Sequence, residues 1–237
     1  KNFLNQNSFA VYGLGLTGKS VVKLFKKYGA KFFIWDDDPT RRNLFTTNKK
    51  DKNINFEQIL DSVDWIVISP GINIEKTKFR KKLILNKKKI ITDLDLFYIL
   101  NRKIKSVVVT GSNGKSTTCK IIEHILKKNS IKTQLGGNIG KPILDLKFKK
   151  NFMVIIEASS FQLSYSKFVR PKYGIILNIT NDHLDWHGTI KKYTESKFKI
   201  FSNQKKEDFA FLNNRKFSKF YKKNNFKGKL RLVSIKK

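Results

Sequence analysis

The sequence predicts an α/β protein made of two successive units, each a parallel sheet with helices on both faces. Three observations predict it. Short apolar runs alternate with amphipathic stretches, as in SFAVYG (8–13), LTGKSVVKLFKKYG (16–29) and KFFIWD (31–36). That alternation is the mark of strand–helix–strand crossovers. Glycine-rich turns sit between an apolar run and a helical one at two places, 13–18 and 110–117. The whole pattern then restarts after residue 92, so the expected domains are 1–92 and 93–237.

In the first unit SFAVYG is a strand ending in glycine, and the next helix carries Val21, Val22, Leu24 and Phe25 with Gly29 as its stop. KFFIWD is the second strand, VDWIVISPG (63–71) a buried strand ending in a Pro-Gly turn, and KKIIT (88–92) the last. TDLDLFYIL (92–100) reads as a connecting helix with Thr92 as N-cap. In the second unit the Val-rich strand KSVVVTG (105–111) runs into a loop and the helix STTCKIIEHILKK (116–128). Strands are expected at 152–157, 173–179, 208–212 and in LRLVSIKK at 230–237, and a helix over about 190–201 bearing Tyr193, Lys197 and Ile200.

Bulk composition excludes several classes. The chain of 237 residues is 40% apolar and 13% aromatic, ample for buried cores. No apolar run reaches the length of a membrane span, and the N-terminus KNFLNQNSFAVYG lacks a signal peptide's apolar core. One cysteine, Cys119, allows no internal disulfide and fits a reducing, cytoplasmic setting. Residue 1 is Lys and the only methionine is Met153, so further residues are expected in front. The net charge of +32 suggests an anionic partner at first sight. The lysines are spread through every segment among Asn, Ile and Phe, all residues of A/T-rich codons. Base composition explains this, and no nucleic-acid partner is expected. A nucleic-acid-directed ATPase would gather its lysines on one face.

Gly13-Leu14-Gly15-Leu16-Thr17-Gly18 fits G-x-G-x-x-G between a strand and a helix. Such glycines let backbone approach a diphosphate at a helix N-terminus, with Asp36 at the next strand end available for ribose or base. The same glycines also serve packing alone. TGSNGKSTT (110–118) ends like a phosphate loop, yet Val109 stands where the general G-x-x-x-x-G-K-[ST] pattern needs its first glycine. Backbone N–H groups there could surround phosphate oxygens, Lys115 neutralise them and Ser116 hold Mg²⁺. Glu157 ends a strand and suits Mg²⁺ or water, or a helix cap. NITNDHLDWHG (178–188) crowds Asp182, His183, Asp185 and His187 together. His183 is a metal ligand oriented by Asp182 or Asp185, or a solvated loop residue. His124 reads as a packed or rim histidine. Asn138 in GGNIG (136–140) is a donor or only part of a turn, and nothing in spacing marks Lys197.

GLGLTG, SPGI, TGSNGKST, GGNIG, EASSFQL, NITNDHLDWHG and YTESKFKIF occur here in the order and spacing of a family, and over about 8–235 the chain resembles the Mur ligases. In that family the loop runs T-G-x-N-G-K-[ST], which Thr110–Ser116 matches in full. The resemblance implies a Rossmann-like N-terminal domain followed by a P-loop α/β ATPase-type central domain. It implies an ATP-dependent amide ligase that adds D-glutamate to UDP-N-acetylmuramoyl-L-alanine in peptidoglycan precursor synthesis, through an acyl phosphate. Leu14, Thr17, Asp36, Ser69 and Gly71 would lie near the uridine diphosphate. Gly111, Ser112, Asn113, Gly114, Lys115, Ser116 and Thr117 would cradle ATP. Ser116, Glu157 and His183 would belong to the shell of two Mg²⁺ ions, and Asn138, Ser159 and His183 would line the muramoyl-alanine. Lys197 matches a lysine that is carbamylated in the family. The catalytic set is then Lys115, Glu157, His183 and Lys197. The resemblance also implies a third, amino-acid-binding domain absent from this sequence and a central domain short of its last strands, so the chain alone is expected to be inactive, and a monomer. Alternatives are a non-catalytic nucleotide-sugar-binding protein and another Mur or folylpolyglutamate-type ligase.

Overall fold

Branched and aromatic runs form the strands, and the lysine-rich amphipathic runs form the helices that cover them. The computed structural model describes residues 2–45, 55–147, 149 and 151–233. They divide into two units, Lys1–Leu96 and Phe97–Lys237.

Among the described residues the first unit holds β1 (Ser8–Tyr12), β2 (Lys31–Trp35), β3 (Trp65–Ile68) and β4 (Ile90–Ile91) in one parallel sheet of order β2-β1-β3-β4. Its helices are α1 (Asn2–Asn5), α2 (Leu16–Tyr28), α3 (Pro39–Asn43), α4 (Phe56–Ser62) and α5 (Arg80–Leu85). β1 is central, and Phe9, Ala10, Val11 and Tyr12 are all fully buried. Phe9 meets Phe25 of α2 at a centroid distance of 4.5 Å, while Tyr12, Trp35, Phe56 and Phe79 close the opposite face. Burying each such ring stabilises the unit by about 1.5–3 kcal/mol. Both α4 and α5 lie where the sequence reading had no helix. They are short, and α4 is started by the Asn55 side chain accepting from Gln58 N–H.

The helix α6 (Asp93–Leu100) follows. Thr92 caps it as expected: its hydroxyl accepts from Asp95 N–H at 3.3 Å, and the Asp95 carboxylate accepts from Thr92 N–H at 3.0 Å.

The second unit holds β5 (Lys105–Thr110), β6 (Thr133–Gly137), β7 (Met153–Glu157), β8 (Tyr173–Ile176), β9 (Phe209–Leu212) and β10 (Lys229–Leu232). They pair in parallel in the order β10-β9-β8-β5-β7-β6. Its helices are α7 (Lys115–Lys128), α8 (Ser160–Tyr165), α9 (Leu184–His187), α10 (Ile190–Phe198) and α11 (Arg215–Lys223). Val107, Val109, Ile155 and Cys119 form the core between β5, β7 and α7. The helix α11 is absent from the sequence reading. Its buried Phe217 and Tyr221 are four residues apart, but lysines and asparagines surround that stripe. The strand read at the chain's end corresponds to β10, and residues 234–237 lie outside the described residues. No described helix is long and apolar enough to cross a membrane.

Two glycines of the first loop, Gly13 and Gly18, are fixed by packing, Gly18 the more tightly. A Cβ on Gly18 would sit 1.9 Å from the Gly13 carbonyl oxygen, which is backbone and cannot yield, whereas a Cβ on Gly15 would meet nothing within 4 Å. Gly18→Ala is therefore expected to destabilise the first unit by about 2–4 kcal/mol, and Gly15→Ala by no more than about 0.5 kcal/mol, measured as shifts in urea midpoint.

Candidate functional site

In the first unit the glycine loop is held from three sides. Gly13 N–H donates to Trp35 O at 2.7 Å, and the Ser69 hydroxyl donates to Gly13 O at 2.7 Å. The Asp36 carboxylate, almost fully buried, accepts from Leu14 N–H at 2.6 Å and from Asp38 N–H at 3.0 Å. Asp36 thus ties the glycine turn, through Oδ2, to its own following segment, through Oδ1. The Leu14 side chain is buried beneath the loop, Thr17 is half-buried and Gly71 is exposed. The helix behind the loop starts at Gly15 with no side-chain cap. Its first N–H groups lie at the positive end of the helix dipole and receive no capping side chain.

In the second unit the sheet order puts β5 between β7 and β8, so three strand ends open on one edge. Register sets Val109 beside Glu157 and Thr110 beside Ile176. The 110–117 loop leaves β5, enters α7 through Gly114 in the left-handed region (φ 82°), and has no capping side chain. The loop is strapped to the segment after β8. Ser112 N–H donates to Asn178 O at 3.0 Å, Asn113 N–H to the Asn178 amide oxygen at 2.9 Å, and the Asn178 amide returns a bond to Asn113 O at 3.1 Å.

Glu157 is buried at the tip of β7 and takes the Ser116 hydroxyl on one oxygen at 2.6 Å and the Asn138 amide on the other at 2.9 Å. The Lys115 ammonium folds back on its own loop, donating to Gly111 O at 2.9 Å and Ser112 O at 2.7 Å. The Lys197 ammonium also donates to Gly111 O, at 2.8 Å, and lies 4.4 Å from the centre of the Tyr193 ring. The side chain is 1% exposed. Burial pushes its pKa down to about 7, and the Lys115 charge adds to the shift. Lys115, Ser116, Glu157, Asn138 and Lys197 therefore share one edge of the sheet.

His183 stands on the loop after β8 with backbone φ 52°, an uncommon conformation for a residue with a Cβ. Its Nε2 is 3.4 Å from Asp182, and its ring leans on Phe161 at 4.7 Å and faces Tyr193 at 6.4 Å. Ser159 does a local job: its hydroxyl accepts from Gln162 N–H and starts α8 in a capping box. His124 is exposed on α7, beside exposed Ile121 and Ile125, and packs into no core.

The roles of three site residues are not read from the sequence, although it places His187 in the crowded 182–187 stretch and Tyr193 on the expected 190–201 helix. Asn178 carries no signal beyond following a strand. Tyr193 donates to or accepts from the Ser112 hydroxyl at 3.0 Å and lies under Lys197; its spacing of four from Lys197 on one helix would have paired them. His187, buried, hydrogen-bonds the Ser160 hydroxyl through Nε2 at 3.0 Å.

The donor set fits Mg²⁺ only in part. Among the described residues no three His, Cys, Asp or Glu side chains converge. Ser116 and Glu157 offer two hard oxygen ligands, which is what Mg²⁺ takes from protein when phosphates and water complete its shell.

Comparison with known proteins gives a consistent answer. The family model for the Mur ligase middle domain matches residues 109–237, more than half of the chain, and that for the MurD-like N-terminal domain of Mur ligases matches residues 7–91. The UDP-N-acetylmuramoylalanine--D-glutamate ligase of Aquifex aeolicus is 35% identical over 206 residues, 86% of this chain and 46% of that protein. Its counterpart in Oenococcus oeni is 37% identical over 211 residues, 86% of this chain and 45% of that protein. The chain thus spans about half the length of the curated relatives it matches. The crystal structure of UDP-N-acetylmuramate:L-alanyl-gamma-D-glutamyl-meso-diaminopimelate ligase from Neisseria meningitides aligns with a TM-score of 0.55 at 14% identity, over 95% of this chain and 77% of that one, a likeness of fold.

The buried imidazole gives a pH test. Burial first, then the Lys197 and His183 charges, push the His187 pKa from 6.5 to about 4. In the unfolded chain the imidazole binds a proton below about 6.5, while in the fold it does not. His187 therefore adds full stability above pH 6.5, and that share is lost as pH falls toward 4. Its ring NMR signals are expected to stay in the neutral form down to pH 5, and His187→Phe to flatten the fall in urea midpoint between pH 6.5 and 4.5.

Proposed function

The chain belongs to the Mur ligase family, and from that premise we propose that it is the precursor- and ATP-binding part of a peptidoglycan ligase that adds D-glutamate to UDP-N-acetylmuramoyl-L-alanine. The observation that carries this reading is the joining of Lys115, Ser116, Glu157 and Asn138 at one strand edge. A dinucleotide-dependent dehydrogenase has no use for this second phosphate loop.

In this reading the 111–117 loop and the uncapped start of α7 cradle the ATP phosphates with backbone N–H groups. Lys115 leaves the Gly111 and Ser112 carbonyls for the phosphate oxygens. The alanine carboxylate of the precursor attacks the γ-phosphorus, the bond to ADP breaks, and an acyl phosphate results. The D-glutamate amine then attacks the acyl carbon, phosphate leaves, and an amide bond forms. Lys115 and the backbone N–H groups stabilise the charge spread over the transferring phosphoryl group. Mg²⁺, held by Ser116 and Glu157, with His183 and a modified Lys197 for a second ion, would supply charge neutralisation at the phosphates. The glycine loop of the first unit, with Leu14, Thr17, Asp36, Ser69 and Gly71, holds the uridine diphosphate by its free helix N–H groups rather than a redox cofactor. Asn138 and Ser159 lie toward the muramoyl-alanine. ATP and UDP-linked precursors place the work in the cytoplasm.

Lys197 gains a role from its environment. With a pKa lowered to about 7, a large fraction of its amine is neutral at physiological pH. A neutral amine attacks CO₂, forms an N–C bond and releases a proton, which turns a buried cation into a carbamate anion. An anion suits a position next to a metal-bound triphosphate.

Calorimetry tests the assignment. The chain is expected to bind UDP-N-acetylmuramoyl-L-alanine and Mg·ATP, with Lys115→Ala weakening ATP at least about 30-fold and leaving the UDP compound unaffected. Tight binding of NAD with none of the UDP compound would overturn it. In ¹³C-bicarbonate a carbamate carbon signal is expected from the wild type and not from Lys197→Arg.

A further inference from the structure

We infer that His187 is a positioning residue of this site: its imidazole, bonded to Ser160 and laid flat on Phe161, fixes the surface on which His183 rests and braces Tyr193 beneath Lys197. The inference deepens the ligase reading and rests on it.

The loop bearing His183 is short of restraints. The His183 ring is about half exposed, and its backbone sits in the left-handed region. Its ring contacts are Phe161 at 4.7 Å and Tyr193 at 6.4 Å, beside Asp182. Both rings touch His187. Phe161 stacks on it at 5.7 Å with planes only 8° apart, and Tyr193 meets it edge-on at 5.0 Å. His187 is thus the common support behind both partners of His183.

The flat face of the imidazole is the main part of this support, and a hydrogen bond adds to it. The Ser160 hydroxyl at 3.0 Å from Nε2 sets the rotation of the ring, and Ser160 is placed by the capping box that starts α8 three residues after Glu157. His187 N–H donates to His183 O at 3.0 Å, so the loop's two histidines are also tied through backbone. On the other side, Tyr193 joins the Ser112 hydroxyl and lies 4.4 Å below the Lys197 ammonium. A leucine could fill the same space. It could not accept or donate at Ser160, and it could not present a flat face to Phe161.

The experiment compares the whole chain with His187→Leu, His187→Phe and His187→Gln, after urea melts establish that each folds. The readouts are the ring proton shifts of His183 and the affinity for Mg·ATP. Wild-type His183 is expected to carry an aromatic ring-current shift from Phe161. His187→Leu should lose most of it and weaken Mg·ATP about tenfold. His187→Phe, which keeps the flat ring, should restore the shift and bring the affinity within about threefold of wild type. His187→Gln, which keeps only the polar contact, should not. Should His187→Leu fail to fold, the Phe and Gln pair decides alone. A folded Leu or Gln variant with unchanged His183 shifts and unchanged affinity would overturn the inference. If the wild type binds no Mg·ATP, the ligase reading falls while the His183 shifts still decide the role of His187.

Discussion

The chemistry of the second unit depends on one constraint of topology, the placing of β5 between β7 and β8. Parallel strands in that order end on the same edge, so the segments that follow each of them must meet. The phosphate loop leaves β5, Glu157 ends β7, and Asn178 follows β8. Residues far apart in sequence, Ser116 with Glu157 and Lys197 with Gly111, come into hydrogen-bond contact as a result. The strands are held by Val107, Val109 and Ile155, so a buried aliphatic core is what sets the geometry of a polar edge.

Two ammonium groups then share one acceptor. Lys115 and Lys197 both donate to the Gly111 carbonyl oxygen. The arrangement is tolerable because it is lopsided: Lys115 reaches water, while Lys197 is buried and gives up part of its hold on a proton. The chain's scarcity of carboxylates sharpens this. With 50 basic and 18 acidic residues, most carboxylates near structure are already engaged, as Asp36 is with the glycine loop and Asp208 with Arg170 and Lys172. Among the contacts given for the described residues no carboxylate is hydrogen-bonded to either lysine, and Asp182 acts on Lys197 only at a distance.

Much of this was legible in the sequence. The strands around both loops, the run from Val107 into Gly111 and the cap at Thr92 follow from period and turn chemistry, because those elements are governed by their own residues. What was not legible depends on distant partners. Lys197 is one lysine among dozens until burial between the Tyr193 ring and the Gly111 carbonyl distinguishes it. Asn178 looks like any polar residue after a strand until its amide closes on Asn113. The spacing makes Asp36 available for ribose or base, but it does not reveal that the carboxylate also accepts from the backbone N–H groups of Leu14 and Asp38. The helix at 215–223 was hidden by composition, since lysine and asparagine dilute a stripe of only a few aromatic residues.

The packing behind the phosphate loop has a bearing on how the protein can be handled. Cys119 faces the sheet from the first turns of α7, fully enclosed, and burial pushes its thiol up to about 12. Its sulfur is both shielded and protonated, so alkylating agents and mild oxidants meet an inert atom while the fold is intact. The single thiol of the molecule is therefore a built-in clock for breathing of this core: the rate at which a maleimide is consumed counts the moments when the helix lifts from the strands.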